Sequence, residues 1–428
     1  MPRAIIGHLE SNTPPLDSAP RRASAPAAES NLPPSGPARL PRELYVLVLL
    51  LVIAHTSLNG LRVAMSLAAI KAGGGALWVG ILAAMFNIVP AFIAIRVGRL
   101  VDRVPLRRML VVGCAISTAG AVLAAVEPML GVLALSACVV GVGWMAIAAA
   151  SQYAVGLYGK SDSSDESSSN LRVRAFGVMA MGFSLSAFFG PLIAGFMIDH
   201  ASYRATFAVL AVLPVLAAMA FASPKLVRLP ASIARPATTT GGARELLAMP
   251  GVRNTLVSAS FITVGWDLYG FVIPVLGSEI LLTATQIGSV MSVFAVAVFV
   301  VRFFVARLTE RFGETNIMVG AMAIAGVTFL LFAFAHSYAW MLALSFLMGI
   351  GLGVSQPIVL SLLHEVSPPG RIGEVNGMRM TMISTSQWTM PLLFGALSVS
   401  TGLLPLFLVI GGGILTGSVY AKKKLPSI

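Results

Sequence analysis

The chain has 428 residues, 57% of them hydrophobic and only 11% charged, with mean hydropathy +0.87 and a formal net charge of +12. A soluble domain carries roughly 25% charged residues, so this composition excludes an ordinary soluble protein. The charges cluster between apolar runs of about 20 residues, the length a helix needs to cross the hydrocarbon of a bilayer, and the runs lack the alternation of membrane strands.

The first segment, 1–43, is rich in Pro, Ala and Ser, holds five Arg and has no apolar core. It reads as a disordered cytoplasmic tail and not as a secretory signal. Twelve helical runs follow, at roughly 44–69, 76–97, 109–126, 129–158, 174–198, 205–222, 254–278, 285–305, 316–335, 339–363, 375–398 and 402–420. Helices are expected because each satisfies its own backbone hydrogen bonds in lipid. The loop 159–173 is low-complexity and reads as mobile. A polar, basic linker, 223–253, separates a first half, 44–222, from a second, 254–421, and a short tail, 422–428, ends the chain.

Orientation follows from Lys and Arg. Arg62 and Arg379 fall inside spans, and Lys71 and Arg204 lie in one set of short loops. The other 25 are assigned to the opposite side or the tail, which makes that side the cytoplasm and places both termini there. The expectation is a multi-pass protein of a cytoplasmic (inner) membrane. Its positive charge reflects topology and lipid contact and not nucleic-acid binding. Cys114 and Cys138 sit within spans and read as packing residues. No metal, cofactor or ATP-binding pattern is found, so the chain does not read as an enzyme or a primary pump.

The halves repeat each other. Gly98-Arg-Leu-Val-Asp-Arg103 returns as Ala306-Arg-Leu-Thr-Glu-Arg311, 208 positions on. Leu133-Ala-Leu-Ser136 returns at 342–345, and Pro191-Leu-Ile-Ala-Gly195 as Pro391-Leu-Leu-Phe-Gly395. In the register of the last pair Gly177 matches Gly377, and Ser184 and Ser186 match Ser384 and Ser386. Two six-helix halves with an internal repeat point to a secondary transporter of alternating access.

These residues resemble the major facilitator superfamily, whose loop between the second and third helices reads G-x-L-x-D-R-x-G-R-[RK]. The first copy has Gly98, Leu100, Asp102, Arg103, Arg107 and Arg108, with Pro105 in place of the family's Gly. The second has Leu308, Glu310, Arg311 and Gly313. The resemblance covers about 44–421 and implies an all-α fold of twelve transmembrane helices in two pseudo-symmetric halves, complete as a monomer. Within the superfamily the chain is similar to bacterial efflux-type permeases. The resemblance implies that Asp102 meets the start of the eleventh helix, near Asn376 and Gly377, in the outward-facing state. By symmetry Glu310 meets the fifth near Phe176 and Gly177. The two loops then form a cytoplasmic gate, with Arg107 and Arg108 as gate or anchor. The fifth helix, with Gly177, Gly182, Ser186, Gly190, Pro191, Ala194 and Gly195, resembles the superfamily's antiporter motif. Ser186 and Ala194 stand where that motif has Gly. Small residues at this spacing let backbones approach closely.

Ionisable groups in spans are costly and mark sites. Asp267 lies near mid-membrane, flanked by Trp266 and Tyr269, and is the candidate proton site because desolvation penalises a carboxylate's charged form. Arg62, in the first helix, binds a substrate carboxylate or pairs with Asp267. Arg379 either lines the pathway or snorkels to the cytoplasm. The family architecture places His55, Asn59, Trp144, Gln152, Tyr153 and Gln356 at the cavity, with Gln387 and Trp388 beside them. The fourth helix lacks the embedded Arg of drug/proton antiporters. The favoured expectation is proton-coupled export of a small amphipathic or drug-like compound. The alternatives are proton-linked uptake of a small organic anion, and a sensor or scaffold without transport.

Overall fold

The computed structural model describes residues 40–158, 165–230, 243–368 and 371–425. Most of the N-terminal tail, residues 159–164 and the middle of the linker lie outside the described residues. Thirteen helices are found among those described: α1 (Arg42–Lys71), α2 (Gly75–Arg103), α3 (Leu106–Val126), α4 (Leu130–Tyr158), α5 (Asp165–His200), α6 (Tyr203–Ala222), α7 (Ala243–Ala248), α8 (Pro250–Glu279), α9 (Ala284–Phe312), α10 (Glu314–Phe332), α11 (Tyr338–Val366), α12 (Ile372–Thr401) and α13 (Leu403–Lys424). Eleven are long and apolar enough to span a membrane. α12 has the length but carries Arg379, Gln387 and many Ser and Thr, so its mean hydropathy falls short.

Three boundaries differ from expectation. The stretch Gly98–Arg103 is not a loop but the last turns of α2. The turn comes at Val104, which is extended (φ −106°, ψ 138°) because Pro105 disfavours helical backbone before it. In the second half Gly313 makes the equivalent turn with φ 76°, a conformation glycine adopts without a Cβ clash. α5 begins at Asp165, inside the stretch read as a mobile loop.

The repeat extends to atomic packing. α3 packs on α4 and α6 as α10 packs on α11 and α13, and α1 packs on α5 as α8 packs on α12. A Cβ on Gly141 would sit 2.1 Å from Phe86 O, and one on Gly349 would sit 2.5 Å from Phe294 O. The two pairs are related by 208 positions. The halves meet along two seams, α5 with α9 and α2 with α12. Call the face with the start of α1 and the end of α13 the tail face, and its opposite the far face.

The seams are closed at the far face. A Cβ on Gly288 would lie 2.3 Å from Pro191 O, and one on Gly195 would lie 2.3 Å from Ala284 O. In the repeat-related seam the Gly80 position lies 2.3 Å from Pro391 O, and the Gly395 position 3.0 Å from Ala76 O. At the tail face Gly177 and Gly377 have open space where a Cβ would project, and Phe176 is exposed. The structure is therefore open toward the tail face. Glu310 is also exposed, and among the described residues it makes no hydrogen bond or ion pair with the Phe176–Gly177 stretch of α5. The side chain of Asp102 and the surroundings of Gly98 lie outside the described residues.

Candidate functional site

The seams enclose a cavity of about 490 Å³. Of the residues singled out from sequence, His55, Asn59, Arg62, Trp266, Asp267, Tyr269, Gln356 and Gln387 line it together. Each helix contributes through its repeat: α1 and α8 run over 30 residues each, in a register that makes Asp267 the counterpart of Asn59. At ~1.5 Å per residue, Arg62 and Asp267 stand about 30 and 26 Å along their helices from the tail face.

Asp267 accepts a hydrogen bond on Oδ2 from Ser386 Oγ at 2.7 Å. No ion pair within 4.0 Å joins it to Arg62. Arg62 instead lies with its guanidinium carbon 5.4 Å from the centre of the Phe86 ring. Among the described residues its guanidinium donates no hydrogen bond to the protein. Such a cation, on an aromatic face and with its donors unspent, suits a planar anionic ligand.

A second guanidinium was missed in sequence. Arg302 belongs to the Lys and Arg set that the sequence assigns to the cytoplasmic side, yet it lines the cavity. Its Nη1 donates to Ala180 O at 3.0 Å and Ser184 Oγ at 2.8 Å, both on α5 across the seam. These acceptors are neutral, so the charge of Arg302 has no protein counter-ion there. The charged residues lining the cavity are thus two arginines and one aspartate. Asn87, also missed, lines the same space.

On the wall opposite Asp267, His55 stacks on Trp144 at 4.5 Å and leans on Phe183 at 4.6 Å. Its Nδ1 lies 2.5 Å from Ser186 Oγ and 3.3 Å from Asn59 Nδ2. The single hydroxyl hydrogen of Ser186 serves either this nitrogen or Phe183 O at 2.8 Å. If it serves Phe183 O, His55 must donate from Nδ1. On the Asp267 side Tyr269 is buried and stacks on Phe294 at 4.1 Å, and Trp266 Nε1 is a buried donor without a partner.

Other expectations are corrected. Arg379 does not snorkel: it is 5% exposed and donates to Gln356 Oε1 at 3.1 Å. It therefore orients a cavity residue without lining the cavity. Trp144 supports His55 from behind, while Gln152, Tyr153 and Trp388 are not among the lining residues, and Gln152 is exposed. Arg107 is not a free anchor. It donates to Phe221 O and, at 2.7 Å, to Val227 O, closing the end of α6. Arg103 is exposed, and Arg311 lies 5.3 Å from the Phe312 ring. The small residues of α5 face two ways. Gly190 meets Asn59 and Thr56 of α1 within its own half, and Gly195 meets α9 of the other. Both cysteines are free.

Several known proteins are similar. The chain is 33% identical over 99 residues to the 4-hydroxybenzoate transporter PcaK of Pseudomonas putida, covering 23% of this chain and 22% of that one. It is 28% identical over 153 residues to the niacin transporter NiaP of Acinetobacter baylyi, covering 34% of each. The multidrug resistance protein MdtG of Salmonella newport is 27% identical over 263 residues, 59% of this chain and 63% of that one. These matches span from about a fifth to under two thirds of the relatives' lengths. Among solved structures, a POT family transporter in complex with a thioalcohol-conjugated peptide superposes with a TM-score of 0.73 at 14% identity. It covers 90% of this chain and 97% of that one, a likeness of fold alone. The family model described as Major Facilitator Superfamily matches residues 47–264 and 255–426, through both halves. With its duplicated helices, its two seams and a cavity between them, the chain belongs to the Major Facilitator Superfamily, a family of membrane transporters and not of enzymes.

Proposed function

We propose that the chain takes up a small organic anion by alternating access, with Asp267 carrying the coupling proton. The tail face lies in the cytoplasm and the far face outside, as the Lys and Arg distribution argues. The observation that carries this reading is the charge of the cavity lining, two guanidiniums against one carboxylate, with the Arg62 guanidinium donating no hydrogen bond to the protein among the described residues. It reverses the preference drawn from sequence, which placed drug-like export first.

The coupling sign follows from electrostatics. With Asp267 ionised the three charged side chains sum to +1, and with it protonated to +2. Two unit charges ~8 Å apart at an effective dielectric of ~20 interact by about 2 kcal/mol, roughly thirtyfold in affinity. A proton on Asp267 therefore strengthens anion binding, and by linkage the anion strengthens proton binding. Mutual reinforcement moves proton and anion together. For a cation the two would compete, which is the logic of exchange. An inward proton gradient then drives anion uptake.

Export of an amphipathic compound is the second reading, supported by the long match to MdtG and the small-residue faces of α5. The discriminating experiment is transport in proteoliposomes under a pH gradient. 4-Hydroxybenzoate and niacin, the solutes in two relatives' names, are set against a lipophilic cationic dye. Anion accumulation on the alkaline side supports uptake; dye movement against the proton supports export.

A further inference from the structure

The first turn of α9 is capped partly by its own residues. Thr283 Oγ accepts from Gln286 N at 3.2 Å, and Gln286 Oε1 accepts from Thr283 N at 3.0 Å. That leaves the N–H groups of Ala284 and Thr285, which have no acceptor within the helix. Both go to the other half of the molecule. Ala284 N donates to Asp199 Oδ1 at 3.1 Å and Thr285 N to Asp199 Oδ2 at 2.7 Å. Asp199 is the penultimate residue of α5, so a carboxylate of the first half completes the cap of a helix in the second.

The site lies where the α5–α9 seam is tightest. One turn below, Gly195 lies against Ala284 O and Gly288 against Pro191 O, with no room for a Cβ on either. The α2–α12 seam repeats this glycine packing at Gly80, Pro391 and Gly395 but not the acid. The position 200 after Asp199 is Val399, which is exposed, and the N-cap of α2 is Gly74 with no side-chain cap. Steric closure is therefore symmetric across the two seams, and the charged clasp belongs to one.

We propose that Asp199 is a positioning residue of the transport cycle, a clasp that holds the far face shut. It rests on the alternating-access reading above. When α5 and α9 part at the far face, both N–H···O bonds break and water takes their place. The clasp thus favours the tail-open state selectively. Asp199 is exposed, so its effect is modest and screened by salt.

The test uses the full chain with Cys114 and Cys138 replaced by Ser and a single reporter, Val79→Cys. Val79 is 1% exposed and lines the cavity. A membrane-impermeant maleimide is applied at the far face of oriented vesicles, where its labelling rate follows the fraction of far-open molecules. Asp199→Ala and the near-isosteric Asp199→Asn should each raise that rate, about two- to fivefold. Asp199→Glu should recover at least half of the difference. Gln286→Ala, which weakens the helix start without touching the clasp, should leave the rate unchanged. Raising salt should speed wild-type labelling and not that of Asp199→Ala. Wild-type rates in a folded, inserted Asp199→Asn would overturn the clasp, as would an equal salt effect in all variants. If the far face never labels in any variant, even with a proton gradient and substrate, alternating access itself fails.

Discussion

Ser386 donates its hydroxyl hydrogen to Asp267 Oδ2 at 2.7 Å. Its repeat counterpart, Ser186, lies 200 positions earlier and meets His55 Nδ1 at 2.5 Å. In each half the serine of the same helix touches a titratable side chain of the half's first helix. The duplication thus built two equivalent hydroxyl positions, and the sequence then diverged around them. One wall carries a carboxylate and the other an imidazole packed on Trp144 and Phe183.

Asp267→Asn should uncouple transport. The amide keeps the shape and the contact with Ser386 but cannot take up and release a proton. Accumulation of anion driven by a pH gradient should fall at least tenfold, while exchange of labelled for unlabelled anion across the same vesicles persists. Loss of exchange to the same degree would assign Asp267 to folding or binding instead.

Arg62→Ala and Arg302→Ala should each weaken anion binding. A charge-assisted hydrogen bond contributes about 1.5–3 kcal/mol, so the expected loss is roughly 10- to 150-fold per residue. Arg302→Lys should recover only part of it, because an ammonium cannot both hold Ser184 and present a planar fork to a carboxylate. Titration calorimetry on the purified protein reads both. Unchanged affinity in Arg62→Ala would remove the anion reading; unchanged affinity in Arg302→Ala alone would leave Arg302 as a seam residue.

The glycines divide into two sets. Gly80→Ala and Gly288→Ala would put a Cβ only 2.3 Å from Pro391 O and Pro191 O respectively. Overpacking of this kind costs about 1–3 kcal/mol, and here it falls on the state closed at the far face. Gly177→Ala and Gly377→Ala meet open space and should be neutral or slightly stabilising in this state. Thermal unfolding in detergent ranks the four, and equal shifts in all of them would contradict the assignment of the closed face.

Arg107→Ala should destabilise the first half by about 1–3 kcal/mol by leaving the carbonyls of Phe221 and Val227 without their donor. Proteolysis of the linker after Val227 should quicken in that variant. Arg108→Ala, whose side chain is exposed, should behave as wild type.

Much of this was legible because lipid imposes strong rules. Apolar runs had to be helices, and an acid at Asp267 had to have a purpose, since burying it is costly. What escaped was depth and partnership. Arg302 stands six residues before Leu308, close enough to the basic end of α9 to pass for an anchor. Only the helix's path shows it facing α5. Asp199 lies just past the apolar run 174–198, and its partners are backbone N–H groups that leave no mark in a sequence. Gly98–Arg103 read as a loop because it is charged, though nothing breaks the helix before Pro105. Arg379 was read by its nearness to the membrane surface, while its position was decided by Gln356.

The central claim is that proton and anion move together. The most direct measurement loads vesicles with a pH-sensitive dye, sets no initial gradient, and adds 4-hydroxybenzoate outside under conditions where passive entry of the acid is subtracted with protein-free vesicles. The account predicts protein-dependent acidification inside, matched by anion uptake and abolished in Asp267→Asn. Alkalinisation inside on entry of the solute, or acidification that survives in Asp267→Asn, would contradict it.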